Sequence, residues 1–269
     1  MEIGLALSGG AARGIAHIGI LKYLEERNIK PDIVSGTSAG SIIGGLFCAG
    51  YSPDDIEELA HNVSWRQIFR YSRIKFPRLG LIDIGFLDKI MGDYLKDKKF
   101  SDLKTPFIAT AVDLENQCPL FIEEGDLMSA IRGSCAIPGI FSPVQRTGKT
   151  LVDGGVLHNI PTPPLQQRGT KMIIAVDVNA HRSPERSPRH IFEVISQSLY
   201  MINRYRENED ASLAAHLIVP DLQHIGMWDL NKTSELIDLG YNKAQEVLAE
   251  VDFSPPTPTR KRRWPWAKK

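Results

Sequence analysis

The sequence has few cysteines, no long apolar run and no excess of charge of either sign. Its three cysteines, Cys48, Cys118 and Cys135, are far apart and lack the spacing of metal ligands, which fits a reducing compartment better than a disulfide framework. No uninterrupted apolar stretch approaches the roughly 18 residues that span a bilayer. Lysine plus arginine and aspartate plus glutamate both number 32, so the overall charge indicates neither nucleic acid nor an acidic ligand.

Two further features are missing from the sequence. No basic segment precedes the apolar run at residues 3–7, so this run predicts a first strand and not a signal peptide. No internal repeat is present, which leaves ordinary domain architectures. The 269 residues suffice to bury a sizeable core without disulfides or structural metals.

The first fifty residues alternate between predicted strands and helices. The strand at residues 3–7 is followed by apolar side chains at helical spacing, namely Ile15, Ile18, Leu21 and Leu24. An apolar run at residues 32–35 and a small-residue helical stretch at residues 41–49 come next. This order predicts an α/β fold with a parallel sheet and helices on its faces.

The second strand leads into a Gly-x-Ser-x-Gly pattern, in which Gly36 and Gly40 flank Ser38. Between a strand and a helix, such glycines allow a tight turn that exposes the serine hydroxyl at the top of the sheet. The serine then lies at a helix N-terminus, where the helix dipole favours developing negative charge. The pattern is short, so a glycine-softened turn without chemistry is an equal alternative at this point.

A second glycine-rich loop follows the first strand and contains Gly9, Gly10, Ala11, Ala12, Arg13 and Gly14. Ala11 interrupts the dinucleotide-binding pattern, and the loop lacks the Gly-Lys-Ser/Thr ending of a phosphate-binding loop. A third interpretation is an oxyanion hole, in which backbone N–H groups of the loop face an acyl carbonyl attacked by Ser38. This interpretation uses both glycine loops, and a purely structural turn is its alternative.

Asp153, Gly154 and Gly155 form the third informative stretch, after an apolar run at residues 151–152. The pattern places a carboxylate at the C-terminal edge of a strand, where sites form on parallel sheets. Asp-Gly is also a common turn pair, so a structural role is equally compatible with it. Asn159 follows and is expected to hold the loop through side-chain hydrogen bonds.

Periodicity and capping residues predict the later elements. Strands are predicted at residues 106–114, 171–178 and 217–220. Helices are predicted at residues 53–62, 84–95, 126–132, 189–215 and 232–250, with Ser52 as an N-cap. The apolar proline-glycine loop at residues 136–143 is expected to be either a wall of an acyl-binding cleft or a buried connection.

Residues 1–253 are predicted to form one domain, and residues 254–269 a proline-rich linker with a basic, tryptophan-containing tail. Cations and aromatic rings are mixed in residues 64–78 and again in residues 260–269. Both segments are typical of contact with an anionic membrane surface. The alternatives are a lid or connector for the first and a solvated end for the second. The expected location is the cytoplasm, with peripheral contact at the inner face of the membrane as an option.

The three motifs, in this order and with the loop at residues 136–143, resemble the patatin-like phospholipase family. They are most similar to bacterial members related to the catalytic domain of neuropathy target esterase. The resemblance covers roughly residues 3–220 and implies a three-layer α/β/α fold with a mainly parallel sheet. It implies a dyad of Ser38 as nucleophile and Asp153 as base, with an oxyanion hole in the first glycine loop and (lyso)phospholipid as substrate.

The resemblance leaves two points to test. Ala11 stands where many family members have a third glycine, which matters if that position needs a positive φ. A carboxylate with a pKa near 3.9 is a poor base for a hydroxyl, so we expect desolvation to raise the basicity of Asp153. We expect no cofactor, no metal ion and no nucleic-acid partner.

Two rival functions stay open. A Ser-His-Asp α/β-hydrolase would need a late histidine, for which the candidates are His181, His190, His216 and His224. Such an enzyme would also place its elbow after several strands, whereas here the elbow follows the second. A non-catalytic lipid-binding protein would use both glycine loops only to shape a pocket.

Overall fold

The computed structural model describes residues 2–64, 82–180, 187 and 191–253. The two segments with a predicted membrane contact lie almost entirely outside the described residues. Of residues 64–78 only residue 64 is described, and residues 254–269 are not described at all. The same holds for His181 and His190, two of the four histidines that a catalytic triad would need.

A mixed eight-stranded sheet forms the centre of the described part of the chain. Its strands are β1 (Ile3–Leu7), β2 (Ile33–Thr37), β3 (Phe107–Asp113), β4 (Cys118–Ile122), β5 (Val144–Arg146), β6 (Lys149–Asp153), β7 (Met172–Val176) and β8 (His216–Ile218). Strands β3, β2, β1, β7 and β8 are neighbours in that order and run parallel. The antiparallel pairs are β3 with β4, β3 with β6, and β5 with β6.

The described helices flank this sheet. They are α1 (Ala16–Glu26), α2 (Ala39–Cys48), α3 (Pro53–Asn62), α4 (Leu87–Ile90), α5 (Gly92–Leu95), α6 (Leu127–Ser134), α7 (Pro163–Gln167), α8 (Ile191–Ser212) and α9 (Thr233–Leu248). Short 3-10 turns lie between several of them, including Ala11–Ile15 in the first glycine loop and Gly154–Val156 after β6.

Apolar side chains cover both faces of the sheet, as expected for parallel strands buried between helices. On β1, Leu5 and Leu7 belong to the larger core, which includes α1, α2 and α9, whereas Ala6 belongs to a smaller second core. The second core includes Leu165 of α7, and Ala211 of α8 packs against it. The predicted three-layer α/β/α fold with a mainly parallel sheet is therefore confirmed.

The pairing of β3 brings the second and third sequence motifs together. Thr37, the last residue of β2, pairs with Thr110 of β3. The next residue of β3, Ala111, pairs with Asp153 at the end of β6. Strand β4 pairs with the other edge of β3. Strands β2 and β6 therefore share one edge of β3, and β6 pairs with it beyond the end of β2. Asp153 therefore lies beside the turn that carries Ser38.

The structure differs from the sequence prediction in two regions. Residues 84–95 do not form one helix but a 3-10 turn, Ile84–Phe86, and the four-residue helices α4 and α5. Gly85 and Gly92 interrupt this segment, and each costs a helix about 1 kcal/mol relative to alanine. Strands β4 and β5 were not predicted, because β4 contains a proline and has mostly half-buried side chains, and β5 has only three residues.

Candidate active site

Ser38 occupies a strained turn between β2 and α2. Its backbone has φ 51° and ψ −120°, a region that non-glycine residues rarely adopt. The Ser38 N–H donates to Ser134 Oγ at 2.9 Å, and the Ser134 hydroxyl donates to the carbonyl oxygen of Thr110 at 2.6 Å. The end of α6 and strand β3 therefore hold the turn in this conformation.

The glycines of the two loops allow three backbone segments to meet. A Cβ on Gly36 would lie 2.5 Å from the carbonyl oxygen of Gly40. One on Gly40 would overlap the carbonyl oxygen of Leu7, and one on Gly14 would overlap Cβ of Ala39. The elbow thus packs directly against the end of β1 and the first glycine loop.

Asp153 is buried at the end of β6, where it caps the turn Gly154–Val156. Its Oδ1 accepts a hydrogen bond from the Gly155 N–H at 2.7 Å. Burial raises the pKa of Asp153 from 3.8 to about 6, although the Gly155 N–H and the Ser38 hydroxyl both act to lower it. Oδ2 makes no geometrically complete hydrogen bond within the described residues, so it is free to accept a proton. The expected increase in basicity is present.

Hydrogen bonds distinguish the backbone N–H groups of the first glycine loop. Those of Gly9, Ala12 and Arg13 donate to the carbonyl oxygens of Asn159, Met227 and Gly10, respectively. The N–H groups of Gly10 and Ala11 donate to no oxygen among the described residues. Gly14 lies inside the 3-10 turn and packs on the elbow. Of the six residues predicted to form an oxyanion hole, Gly10 and Ala11 are therefore the ones whose N–H groups have no acceptor in the described part of the chain.

Ala11 has a positive φ of 49°, whereas Gly10 is extended with φ 173°. The position at which this chain departs from the family glycine thus requires the left-handed conformation. For an L-residue this conformation costs roughly 1–2 kcal/mol. The strain is local, because Ala12 and Arg13 on its C-terminal side keep their backbone hydrogen bonds.

Two residues that the sequence analysis did not select hold the same loop. The His17 ring approaches the Ser8 carbonyl oxygen, with Nε2 at 2.8 Å, and Asn179 Nδ2 donates to the carbonyl oxygen of Gly9 at 2.6 Å. Burial lowers the pKa of His17 to about 4, so at neutral pH its ring is uncharged and Nε2–H donates. Asn179 follows β7 at the carboxyl edge of the parallel sheet, where binding sites usually form. Its position after a predicted strand could therefore have identified it from the sequence.

Asn159 contributes differently from the sequence prediction. Its backbone carbonyl, and not its side chain, accepts the hydrogen bond from Gly9. The side-chain Nδ2 is buried and has no hydrogen-bond partner among the described residues. Asn159 therefore offers a free donor beside Asp153 and Ser38, in the smaller of two cavities.

Two cavities meet at Ser38. The larger, of about 190 Å³, has almost entirely apolar walls, which include Ile42, Leu46, Ile56, Ile84, Met91 and Trp228. The smaller, of about 70 Å³, is bordered by Asp153, Asn159, Asn179 and Glu207 and also by apolar side chains; we call it the polar cavity and the larger one the apolar cavity. An ester carbonyl at Ser38 can therefore have an apolar chain on one side and polar groups on the other.

The loop at residues 136–143 lines this site, as one of its two interpretations predicted. Ile137 borders both cavities, and Phe141 borders the apolar one. The backbone of the loop is also tied to β6, because the Asp153 N–H donates to the carbonyl oxygen of Ala136 at 3.0 Å.

The described histidines lie away from both cavities. His216 is in β8, and His224 pairs on the surface with Glu235 at 2.7 Å. His158 is close in sequence to Asp153, but its Nδ1 lies 2.9 Å from Asp210. No histidine among residues 2–64, 82–180 and 191–253 lines a cavity that Ser38 borders.

Within the same ranges, no helix is both long and apolar enough to cross a membrane. This agrees with the lack of a long apolar run in the sequence.

Comparisons with known proteins agree with the fold. Residues 5–165 match the family described as patatin-like phospholipase. The chain is 29% identical over 231 residues to lysophospholipase NTE1 of Candida albicans, covering 84% of this chain and 16% of that protein. It is 32% identical over 178 residues to an NTE family protein of Mycobacterium tuberculosis, covering 66% and 49%, respectively. The chain thus spans only a part of these relatives.

Among solved structures, VipD from Legionella pneumophila is similar in fold. Its TM-score is 0.54 at 13% identity, over 92% of this chain and 67% of that chain. At this level of identity the similarity concerns the fold alone. The sequence match, which includes the first two glycine motifs and Asp153, concerns more than half of the chain. The chain belongs to the patatin-like phospholipase family.

Proposed function

We propose that the protein hydrolyses fatty-acyl ester bonds of lysophospholipids and phospholipids through a dyad of Ser38 and Asp153. The observation that carries the proposal is the buried Asp153 carboxyl, whose raised pKa and contact with the Ser38 hydroxyl suit a general base. Family membership and the name of the fungal relative, lysophospholipase, support the same reaction class.

The reaction has two stages. Asp153 accepts the hydroxyl proton of Ser38 while Oγ bonds to the ester carbonyl carbon, which gives a tetrahedral oxyanion. The oxyanion collapses, the ester bond breaks, and the leaving alcohol takes the proton from Asp153. In the second stage Asp153 deprotonates water, which attacks the acyl-enzyme. The bond to Ser38 Oγ then breaks, Oγ takes the proton back from Asp153, and the fatty acid is released.

The oxyanion is stabilised by the N–H groups of Gly10 and Ala11, the free donors of the loop. Asn159 Nδ2 is a third donor on the same side of Ser38. Each backbone donor of this kind is worth roughly 3 kcal/mol in a developing oxyanion. The strain at Ala11 is compatible with this role, because its N–H makes no competing hydrogen bond to a described residue.

The two cavities orient the substrate. The acyl chain enters the apolar cavity, and the glycerol and headgroup lie towards the polar cavity with Asn159, Asn179 and Glu207. One apolar cavity accommodates one acyl chain, which favours lysophospholipid over substrates with two or three chains. The proposal includes a cytoplasmic protein that acts at the inner face of the membrane, an expectation that rests on the composition of residues 64–78 and 260–269.

The test is side-by-side hydrolysis of lysophospholipid, diacyl phospholipid and triacylglycerol by the wild type and by Ser38→Ala. We expect fatty-acid release to be fastest from lysophospholipid and absent in Ser38→Ala. Labelling with a fluorophosphonate ester checks the nucleophile, because Ser38 should carry the label. If Ser38 does not react and no ester is cleaved, a non-catalytic lipid-binding protein is the better account.

The alternative of a Ser-His-Asp triad is tested by substituting the candidate histidines one at a time. We expect His216→Ala and His224→Ala to keep their activity, as well as His181→Ala and His190→Ala. A single inactivating substitution among these four would favour a Ser-His-Asp hydrolase.

A further inference from the structure

Helix α8 exposes an unusual number of large apolar side chains. Ile191, Val194, Met201, Ile202 and Tyr205 are between 47% and 79% exposed. Isolated apolar residues on a surface need no explanation, but a contiguous group marks a contact site. Elsewhere in the described chain only Leu114 and Leu217 are comparable, and they stand in other elements.

These five side chains lie on one face of α8. At about 100° per residue, positions 191, 194, 201, 202 and 205 fall within a stripe roughly 100° wide. Arg204 and Arg206 are exposed on opposite sides of this stripe, and Glu209 lies at its C-terminal end. The exposed face is therefore mainly apolar along its centre, where Ser198 is also exposed, and it has one arginine on each margin and a tyrosine in the apolar part.

The opposite face of α8 is fixed to the candidate active site. Asn203 Nδ2 donates to the carbonyl oxygen of Gly155 at 2.9 Å. Leu199 and Glu207 border the polar cavity next to Ser38, and Asp210 pairs with His158. A surface that contacts the outer face of α8 would thus lie one helix away from the catalytic dyad.

We infer that α8 is the membrane-docking helix of this protein and lies flat on an anionic phospholipid bilayer, with its apolar stripe at the boundary of headgroups and acyl chains. The inference rests on the proposed function, because it assumes that the substrate is taken from a membrane. Amphipathic helices with basic margins and aromatic residues bind in this orientation. Arginines near the surface add attraction to anionic headgroups, and tyrosine favours the interface.

A second copy of the chain is a less suitable occupant. A stable protein interface takes roughly 20–30 residues from each partner, whereas the stripe has five apolar residues. The arginines would also meet their own copies across a two-fold contact, which charge repulsion opposes. An anionic lipid surface complements both features.

The experiment uses the full chain with Ser38→Ala, so that the vesicles stay intact, and measures co-sedimentation with phosphatidylcholine/phosphatidylglycerol vesicles. The test variant adds Met201→Gln, Ile202→Gln and Tyr205→Gln, and the matched control adds Leu114→Gln, an exposed apolar residue outside α8. We expect at least tenfold weaker binding for the test variant and unchanged binding for the control. Arg204→Gln with Arg206→Gln should weaken binding about fivefold or more, but only when phosphatidylglycerol is present.

Unchanged vesicle binding in the test variant would overturn the inference. So would a loss of dimer in analytical ultracentrifugation without a loss of vesicle binding, which would make the stripe an interface between copies. With Ser38 restored, the test variant should lose activity on vesicle-borne lipid and keep it on a water-soluble short-chain ester. If the wild type cleaves neither substrate, the proposed function fails, while the binding comparison still decides the role of α8.

Discussion

Asp153 combines burial with a charge that its surroundings only partly compensate. One N–H bond, from Gly155, and the Ser38 hydroxyl favour its ionised form, and desolvation outweighs them. The shift of its pKa from 3.8 to about 6 corresponds to about 3 kcal/mol. The carboxylate is therefore ionised at neutral pH, yet it is a stronger base than an exposed aspartate.

The pH dependence of hydrolysis follows from this pKa. Below pH 6 Asp153 becomes protonated and can no longer accept the proton of Ser38, so kcat/KM should fall about tenfold per pH unit. A pH–rate profile with a water-soluble ester should show an acidic limb with a midpoint near 6. A midpoint near 4 would mean that the catalytic base is an ordinary exposed carboxylate.

We expect Asp153→Asn to stabilise the folded protein, although the same substitution should abolish hydrolysis. A raised carboxyl pKa means that ionisation opposes folding, so above pH 6 the neutral asparagine should raise the free energy of unfolding by about 1–3 kcal/mol. This increase in the free energy of unfolding should become smaller as pH falls from 6 towards 3.8. In that range Asp153 becomes protonated in the folded wild type, so its side chain is neutral like asparagine.

Urea unfolding at pH 7.5 and at pH 4.5, with the exposed Asp221→Asn as the control, measures this difference. Destabilisation of Asp153→Asn at both pH values would show that the carboxylate is needed by the fold.

At the scale of elements, the strongly patterned segments are the ones that the sequence predicted. Helix α3 begins and ends where expected, and its N-cap Ser52 forms a capping box with Asp55. The strand predicted at residues 106–114 contains β3, and that at residues 171–178 contains β7. Strand β4 was missed, because local pattern carries no information on its antiparallel pairing with β3. Residues 84–95 were merged into one helix, although Gly85 and Gly92 interrupt the segment.

The candidate site was predictable in its motifs but not in its hydrogen bonds. The resemblance to the patatin-like phospholipases implied that Ser38 and Asp153 would meet, whereas the position of Asp153 at a strand end left a structural role equally open. It could not distinguish Gly10 and Ala11 from the other loop residues, because that depends on partners as distant as Asn159 and Met227. It also missed His17, which looks like one more member of a buried helix face.

Helix α3 provides a test of the apolar cavity. Ala60 lines this cavity while it is itself only partly buried, so Ala60→Phe should fill space at little cost to stability. We expect hydrolysis of long-chain lysophospholipid to fall about tenfold relative to a short-chain ester. Glu58→Phe, on the exposed side of the same helix, is the control and should leave the chain-length profile unchanged.

At the scale of the whole molecule, the order of strands in the sheet determines which functional groups lie next to each other. Strand β6 replaces β2 along the edge of β3, which brings the Asp153 loop to Ser38, and the first glycine loop approaches from β1. The larger core side of the sheet contains the apolar cavity, and α8 lies beside the polar one. Under the proposed function, these two cavities would receive the two chemically different ends of a lipid.

The buried ring of His17 should make the stability of the fold depend on pH in the acidic range. Its pKa is 6.5 in the unfolded chain and about 4 in the fold, so between these values the unfolded state binds more protons. Stability contributed by the neutral ring is fully present above pH 6.5, and about 3 kcal/mol is lost as pH falls to 4. Urea unfolding from pH 7 to pH 4.5 should show a smaller loss in His17→Gln than in the wild type. Equal losses would mean that His17 is not buried as a neutral ring.

The most direct test of the dyad is the turnover of Asp153→Asn on lysophospholipid at pH 7.5, with the folded state verified by circular dichroism. Asparagine keeps the size of the side chain and removes only its ability to accept the proton of Ser38. We expect kcat to fall at least about a thousandfold, which is comparable to the effect of Ser38→Ala. Turnover close to that of the wild type would contradict the assignment of Asp153 as the base.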